Sequence, residues 1–201
     1  MKSIFLSFLI FAARYTYGQG TFFYDQQSSM NETPFQHGAG GTIQQTPPPY
    51  GQSFTPTIAA VDFIRLNLND NSPNNGLGAT LYVNLRTNSI GGPILASTMP
   101  VTLTNGFTGV VNFFFANSVQ LTPNEIYYFE PVVQSGDLWN AISGEYNYPG
   151  GTAFYQGLAL SGGDYWFREG IYIVPEPSST SLVLICSALA FWIRRKRNFK
   201  S

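Results

Sequence analysis

The residues best equipped for acid–base chemistry are the carboxylates Glu130, Asp137, Glu145 and Asp164. Two carboxyl groups set across a sugar ring can hydrolyse a glycosidic bond. Spacing along the chain does not set any two of these across a ring, and solvated loop acids are their ordinary state. His37 is the only histidine and lies among glycines in an irregular stretch, so a Ser-His-Asp triad would lack a positioned base. Cys186 is the only cysteine and sits in a C-terminal apolar run. That excludes a disulfide within the sequence and a Cys-based metal site. Gly38-Ala39-Gly40-Gly41 has no Lys-Ser or Lys-Thr after it, so it is not a phosphate loop. No catalytic residue and no resident cofactor are expected.

Binding chemistry has more material. Asn67-Leu68-Asn69-Asp70-Asn71 and Ser161-Gly162-Gly163-Asp164 are oxygen-rich turns of the kind that hold calcium. The same residue types also make Asx turns without any metal. Trp139, Tyr146, Tyr148, Tyr155 and Trp166 cluster late in the chain, near Asn140 and Asn147. Aromatic faces beside amides are suited to polysaccharide, and the competing use of such residues is to fill a core.

Composition says what must position these residues. Charged residues make up 10% of the 201-residue chain and aromatics 16%, with 20 glycines and 13 prolines. Few charges, many aromatics and many turn formers point to short strands rather than a helical bundle. Between Gln19 and Val174 three arginines, Arg65, Arg86 and Arg168, face ten acidic residues, a net charge of −7. An acidic body argues against nucleic acid as a partner, because phosphate recognition needs clustered Lys and Arg.

Residues 19–50 show little periodicity, with a short strand expected at Thr21 to Tyr24 and loop at Gln26 to Ser29 and Gly38 to Gly41. From Gly51 the pattern changes. Ile64, Leu66 and Leu68 alternate with Arg65, Asn67 and Asn69; Leu81, Val83 and Leu85 alternate with Tyr82, Asn84 and Arg86. Period two means strands with one face on a core. Further apolar runs at Ile94 to Ser97, Val110 to Phe115, Ile126 to Val133 and Tyr165 to Val174 are divided by Gly-, Pro- and Asn-rich turns. The expected fold is all-β: an antiparallel, jelly-roll-like β-sandwich of about eight strands over residues 51–174.

The two ends differ from this body. Met1-Lys2, the apolar Ile4 to Ala13 and the small residues Thr16 and Gly18 have the form of a signal peptide over residues 1–18, its apolar run an N-terminal signal helix. At the other end Pro175-Glu176-Pro177 precedes an uncharged stretch to Ile193 and the basic cluster Arg194-Arg195-Lys196-Arg197. The prolines stop the last strand and hold an extended segment. The apolar stretch, about 178–193, fits a single transmembrane helix, with the basic end 194–201 kept cytoplasmic. Ser181 to Ile193 gives about 20 Å of helix against a hydrocarbon core of about 30 Å, a marginal span.

Pro-Glu-Pro, an apolar run and an Arg-rich end in this order resemble the PEP-CTERM sorting tail of exported bacterial proteins. The resemblance covers residues 175–201 and implies that an exosortase-type enzyme reads Pro175, Glu176 and Pro177. Gly51-Gln52-Ser53-Phe54-Thr55-Pro56, Gly92-Pro93-Ile94-Leu95-Ala96-Ser97, Leu121 to Tyr128 and Tyr148-Pro149-Gly150-Gly151-Thr152-Ala153-Phe154 resemble the carbohydrate-binding-module-like sandwiches of secreted bacterial proteins. Those motifs are turns and core, so they speak to fold more than to ligand.

The expectation is an exported, non-enzymatic protein of the cell envelope or extracellular matrix. It associates with the membrane through its tail before processing, and polysaccharide is the expected ligand of its sandwich. The alternatives are a hydrolase of envelope glycans and a purely structural surface protein. Mass spectrometry of the mature protein is expected to find neither Met1–Gly18 nor Arg194–Ser201; an intact basic end in secreted material would overturn the processing reading.

Overall fold

The computed structural model describes residues 20–30, 39–45, 49–144 and 148–174. Residues 1–18, the Pro175–Pro177 motif, the apolar stretch 178–193 and the basic end 194–201 lie outside them, as do His37, Glu145, Tyr146 and Asn147. Among the described residues no helix is long and apolar enough to cross a membrane. Phe22–Tyr172 form one compact unit.

That unit is two antiparallel sheets, a β-sandwich. The six-stranded sheet runs β1 (Thr21–Gln27), β13 (Phe167–Ile173), β4 (Ala60–Asp70), β10 (Trp139–Ile142), β2 (Ala39–Ile43), with β8 (Thr108–Gln120) also paired to β4. The seven-stranded sheet runs β12 (Leu158–Ala159), β11 (Ala153–Tyr155), β3 (Gly51–Phe54), β9 (Tyr127–Gly136), β5 (Ala79–Thr87), β6 (Ile94–Ser97), with β7 (Val101–Leu103) also on β5. The strand count exceeds the expected eight for two reasons. Several strands are only two to four residues long, and two lie in the segment expected to be irregular. Gln26 and Gln27 extend β1, and Ala39 to Gly41 belong to β2. Backbone pairing with β10 makes a strand of a glycine-rich stretch whose own propensity is poor.

The core is what the alternation implies. Ile64, Leu66 and Leu68 of β4 pack against Leu81, Val83 and Leu85 of β5, with Phe113, Phe129, Trp139 and Phe167 closing the interior. The polar members of the alternation are less exposed than expected. Asn67 and Asn84 are both buried, because each outer face carries a polar layer of its own.

One irregularity sets the outer surface of β4. Its register against β8 shifts between Val61 and Phe63, a bulge. Val61 and Ile64 therefore both join the core, while Phe63 packs with Phe22, Tyr24 and Phe114 outside it. Phe22 meets Phe63 edge-on at 4.9 Å between ring centres, which ties β1 to β4 across β13.

Phe129 is fully buried at the centre of the seven-stranded sheet, against Phe54 and Phe167. Phe129→Ala is expected to lower stability by about 3–5 kcal/mol, measured by urea unfolding; a loss under about 1 kcal/mol would contradict this packing.

Candidate functional site

The sequence candidates separate into groups. Glu130, in β9, accepts from Arg86 Nε at 2.9 Å and Nη2 at 2.6 Å, and from Asn84 Nδ2 at 3.1 Å. Arg86 also donates to the Gly92 carbonyl at 2.6 Å, which fixes the turn before β6. Asp137 accepts from the Leu138 amide and from Asn75. Asp164 accepts from Gln52 Nε2 at 2.9 Å and the Tyr148 amide at 3.0 Å. Each of these three carboxylates is thus engaged by donors of its own, and none is hydrogen-bonded to another.

The turns read as calcium candidates are held the same way. Asp70 accepts the Ser72 amide at 2.7 Å and the Gly106 amide at 2.8 Å, an Asx turn that links two loops. Among the described residues no three or more His, Cys, Asp or Glu side chains come together as a metal cluster. Asp164 belongs to a clamp between the sheets. Gln52 of β3 donates to it and takes the Tyr165 amide at 3.0 Å, and the Tyr165 hydroxyl donates to the Phe154 carbonyl at 3.1 Å. Tyr148, Thr152, Ser161, Gly162 and Asp164 border a cleft of about 430 Å³ at this end.

Of the aromatics expected to contact polysaccharide, Trp139 is wholly enclosed in the core. Trp166 is 1% exposed and lies beside Arg168, whose guanidinium carbon is 5.2 Å from the ring centre. Tyr148 is buried, its hydroxyl donating to Gln26 Oε1 at 2.9 Å and accepting the Thr55 amide at 3.3 Å. Burial drives the Tyr148 and Tyr165 hydroxyls far above the ordinary phenol range. Of the described members of this set only Tyr155 is exposed, standing edge-on to Tyr50. Tyr146 lies outside the described residues. An aromatic stacking platform built from this set is therefore not what the described residues present.

A different set comes together on the outer face of the six-stranded sheet. Thr42, Asn140, Asn69 and Thr108 form one cross-strand row through β2, β10, β4 and β8. Arg168, Arg65 and Asn112 form another through β13, β4 and β8. Asn67 stands between the rows, its amide bonded to the Trp166 carbonyl. Thr42 donates to Asn140 Oδ1 at 3.2 Å. The Oδ1 atoms of Asn69 and Asn112 are buried without a hydrogen-bond partner. A buried amide oxygen without a donor is costly, and in native proteins it calls for an explanation. The alternation of Arg65, Asn67 and Asn69 carried part of this signal; the contributions of β2, β8, β10 and β13 depend on pairing that sequence does not show.

No family model matches this chain, and no curated protein matches it.

The Arg86–Glu130 pair gives this subsection its test. Arg86→Ala leaves Glu130 buried without its countercharge and is expected to cost about 3 kcal/mol in urea unfolding at pH 7. A double change to Ala and Gln should recover part of that loss. Equal losses in both variants would show that packing, not charge, is at stake.

Proposed function

We propose that this protein is exported and sorted to the cell envelope by a PEP-CTERM tail, and serves there as a non-enzymatic, polysaccharide-binding β-sandwich of jelly-roll-like topology. Residues 1–18 are its signal helix and 178–193 its transmembrane segment. An exosortase-type enzyme reads Pro175, Glu176 and Pro177, and the cluster Arg194 to Arg197 fixes topology. The order of these parts at the two chain ends supports export and sorting.

The observation that carries the binding reading is the polar outer face of the six-stranded sheet. Asn67, Asn69, Asn112, Asn140, Arg65 and Arg168 lie on neighbouring strands on one side of the sheet, Asn67, Asn140 and Arg168 buried and the other three half-buried. Amides donate and accept at once, which matches the hydroxyl groups of a sugar. The acceptor oxygens of Asn69 and Asn112 are buried without a partner, and a ligand hydroxyl that displaces what covers them would complete them. A hydrolase reading draws no comparable support, because Glu130, Asp137 and Asp164 are each occupied by structural partners.

The full-length chain in detergent, probed on a glycan array and titrated with the best polysaccharide found, tests this reading. Asn69→Ala and Asn112→Ala are each expected to weaken binding about two- to tenfold, the worth of one neutral hydrogen bond. Binding that both variants leave unchanged, or no binding to any polysaccharide including the producer's own, would overturn it.

A further inference from the structure

No sequence pattern singles out Glu169, and among the described residues it is the only carboxylate with both oxygens buried and without a hydrogen bond of good geometry. It lies in β13 one residue beyond Arg168, so its side chain points to the opposite side of the sheet, with Phe167, toward the sandwich interior. It is completely buried, and neither carboxyl oxygen has a hydrogen bond of good geometry. The group it faces is Asp25 on the neighbouring edge strand β1.

Asp25 is in the opposite situation. Its oxygens accept from the Thr57 amide at 2.7 Å, from the Thr57 hydroxyl and from the Ile58 amide at 3.4 Å. Those contacts make Asp25 the acceptor of the pair, with lone pairs left for one more donor. Among the described residues the remaining charged or titratable groups near Glu169 bring no positive charge. Tyr148 and, beyond it, Asp164 lie on the same side, and Asp62 of β4 accepts the Tyr172 amide at 2.8 Å. Arg65 and Arg168 form their row on the other face of the sheet.

From this geometry we infer that Glu169 carries a proton, donates it to the Asp25 carboxylate, and by that shared proton fastens the N-terminal edge strand β1 to β13. Burial, then the nearness of Asp25, raises the Glu169 carboxyl well above the ordinary carboxylate range, against a smaller opposing effect of the Gln26 backbone amide, in agreement with this placement. β13 and β1 approach closely beside this pair, a Cβ on Gly170 meeting the Asp25 backbone nitrogen at 3.0 Å. Gly170 has φ +155°, and a Cβ there would come within 2.0 Å of the Phe23 carbonyl oxygen. β1 ends its sheet with β13 as its one neighbour there, which makes it the strand of this sheet best placed to open locally.

The sign follows from proton counting. Docked β1 keeps the Glu169 proton at pH values where a solvated glutamate has lost it. Rising pH therefore favours the detached strand, by up to about tenfold in the opening equilibrium per pH unit, until Glu169 ionises in the docked state as well.

Hydrogen–deuterium exchange of β1 peptides in the full-length chain in detergent, corrected for the intrinsic rate, tests this between pH 5 and pH 9. The wild type is expected to lose β1 protection as pH rises, while core strands β5 and β9 keep theirs. Glu169→Gln retains a donor toward Asp25 without an ionisable proton, and its β1 protection is expected to be flat with pH. Infrared spectroscopy of the wild type at pH 7 should show a buried protonated carboxyl that disappears in Glu169→Gln, a readout that stands even if the variant folds poorly. Equal pH dependence in the two proteins, or no such band, would overturn the inference. Restoration of β1 protection at high pH by 1 mM calcium chloride would also overturn it, since the pair would then be a cation site.

Discussion

Strand β4 must satisfy backbone hydrogen bonds on both of its edges, and much of the six-stranded sheet follows from how it does so. On one edge β8 runs antiparallel to nearly its whole length. On the other, β13 covers Phe63 to Leu66 and β10 covers Leu68 to Asp70. Asn67, at the junction, is bridged by the Trp166 carbonyl. A slip of one residue in any of these pairings would turn a core row outward. The core of Ile64, Leu66 and Leu68 and the polar rows of Arg65, Asn67 and Asn69 are therefore fixed by the same registers.

The second constraint is the number of polar groups this protein keeps out of water. Asn84, Glu130 and Arg86 form a charged layer on the seven-stranded sheet, and Gln52, Asp164 and Tyr165 knit the sheets at one end. In both clusters the groups satisfy one another, which makes them specific fasteners as well as costly ones. Some described groups depart from that pattern. The Asn69 and Asn112 oxygens lack donors on the outer face, Glu169 lacks them inside, and the Trp139 indole nitrogen lacks an acceptor in the core. The asparagine oxygens are acceptors that a ligand hydroxyl would complete; Glu169 is relieved by a proton.

Elements whose evidence is local were legible in advance. β6 was expected at Ile94 to Ser97 and lies there, because Gly91-Gly92-Pro93 ends one strand and an apolar run begins the next. The alternations in β4 and β5 identified core residues correctly, since period two shows which face is apolar. β2 was missed, because glycine has poor strand propensity and only pairing with β10 makes that stretch a strand. Trp139 and Trp166 were placed among ligand-contacting aromatics, yet ring type does not reveal whether a residue faces core or solvent.

The sequence by itself determined an all-β body, the apolar faces of its longest strands, the acidic balance of that body and the distinct character of the two chain ends. These depend on composition and on neighbours a few residues apart. The tertiary structure alone decided which polar groups meet. Asp25 and Glu169 lie far apart in the chain, as do Thr42 and Asn140, and Gln52 and Asp164. Strand pairing brings the first two pairs together and the packing of the two sheets the third, and because chain separation carries no trace of either, no reading of spacing could have joined them.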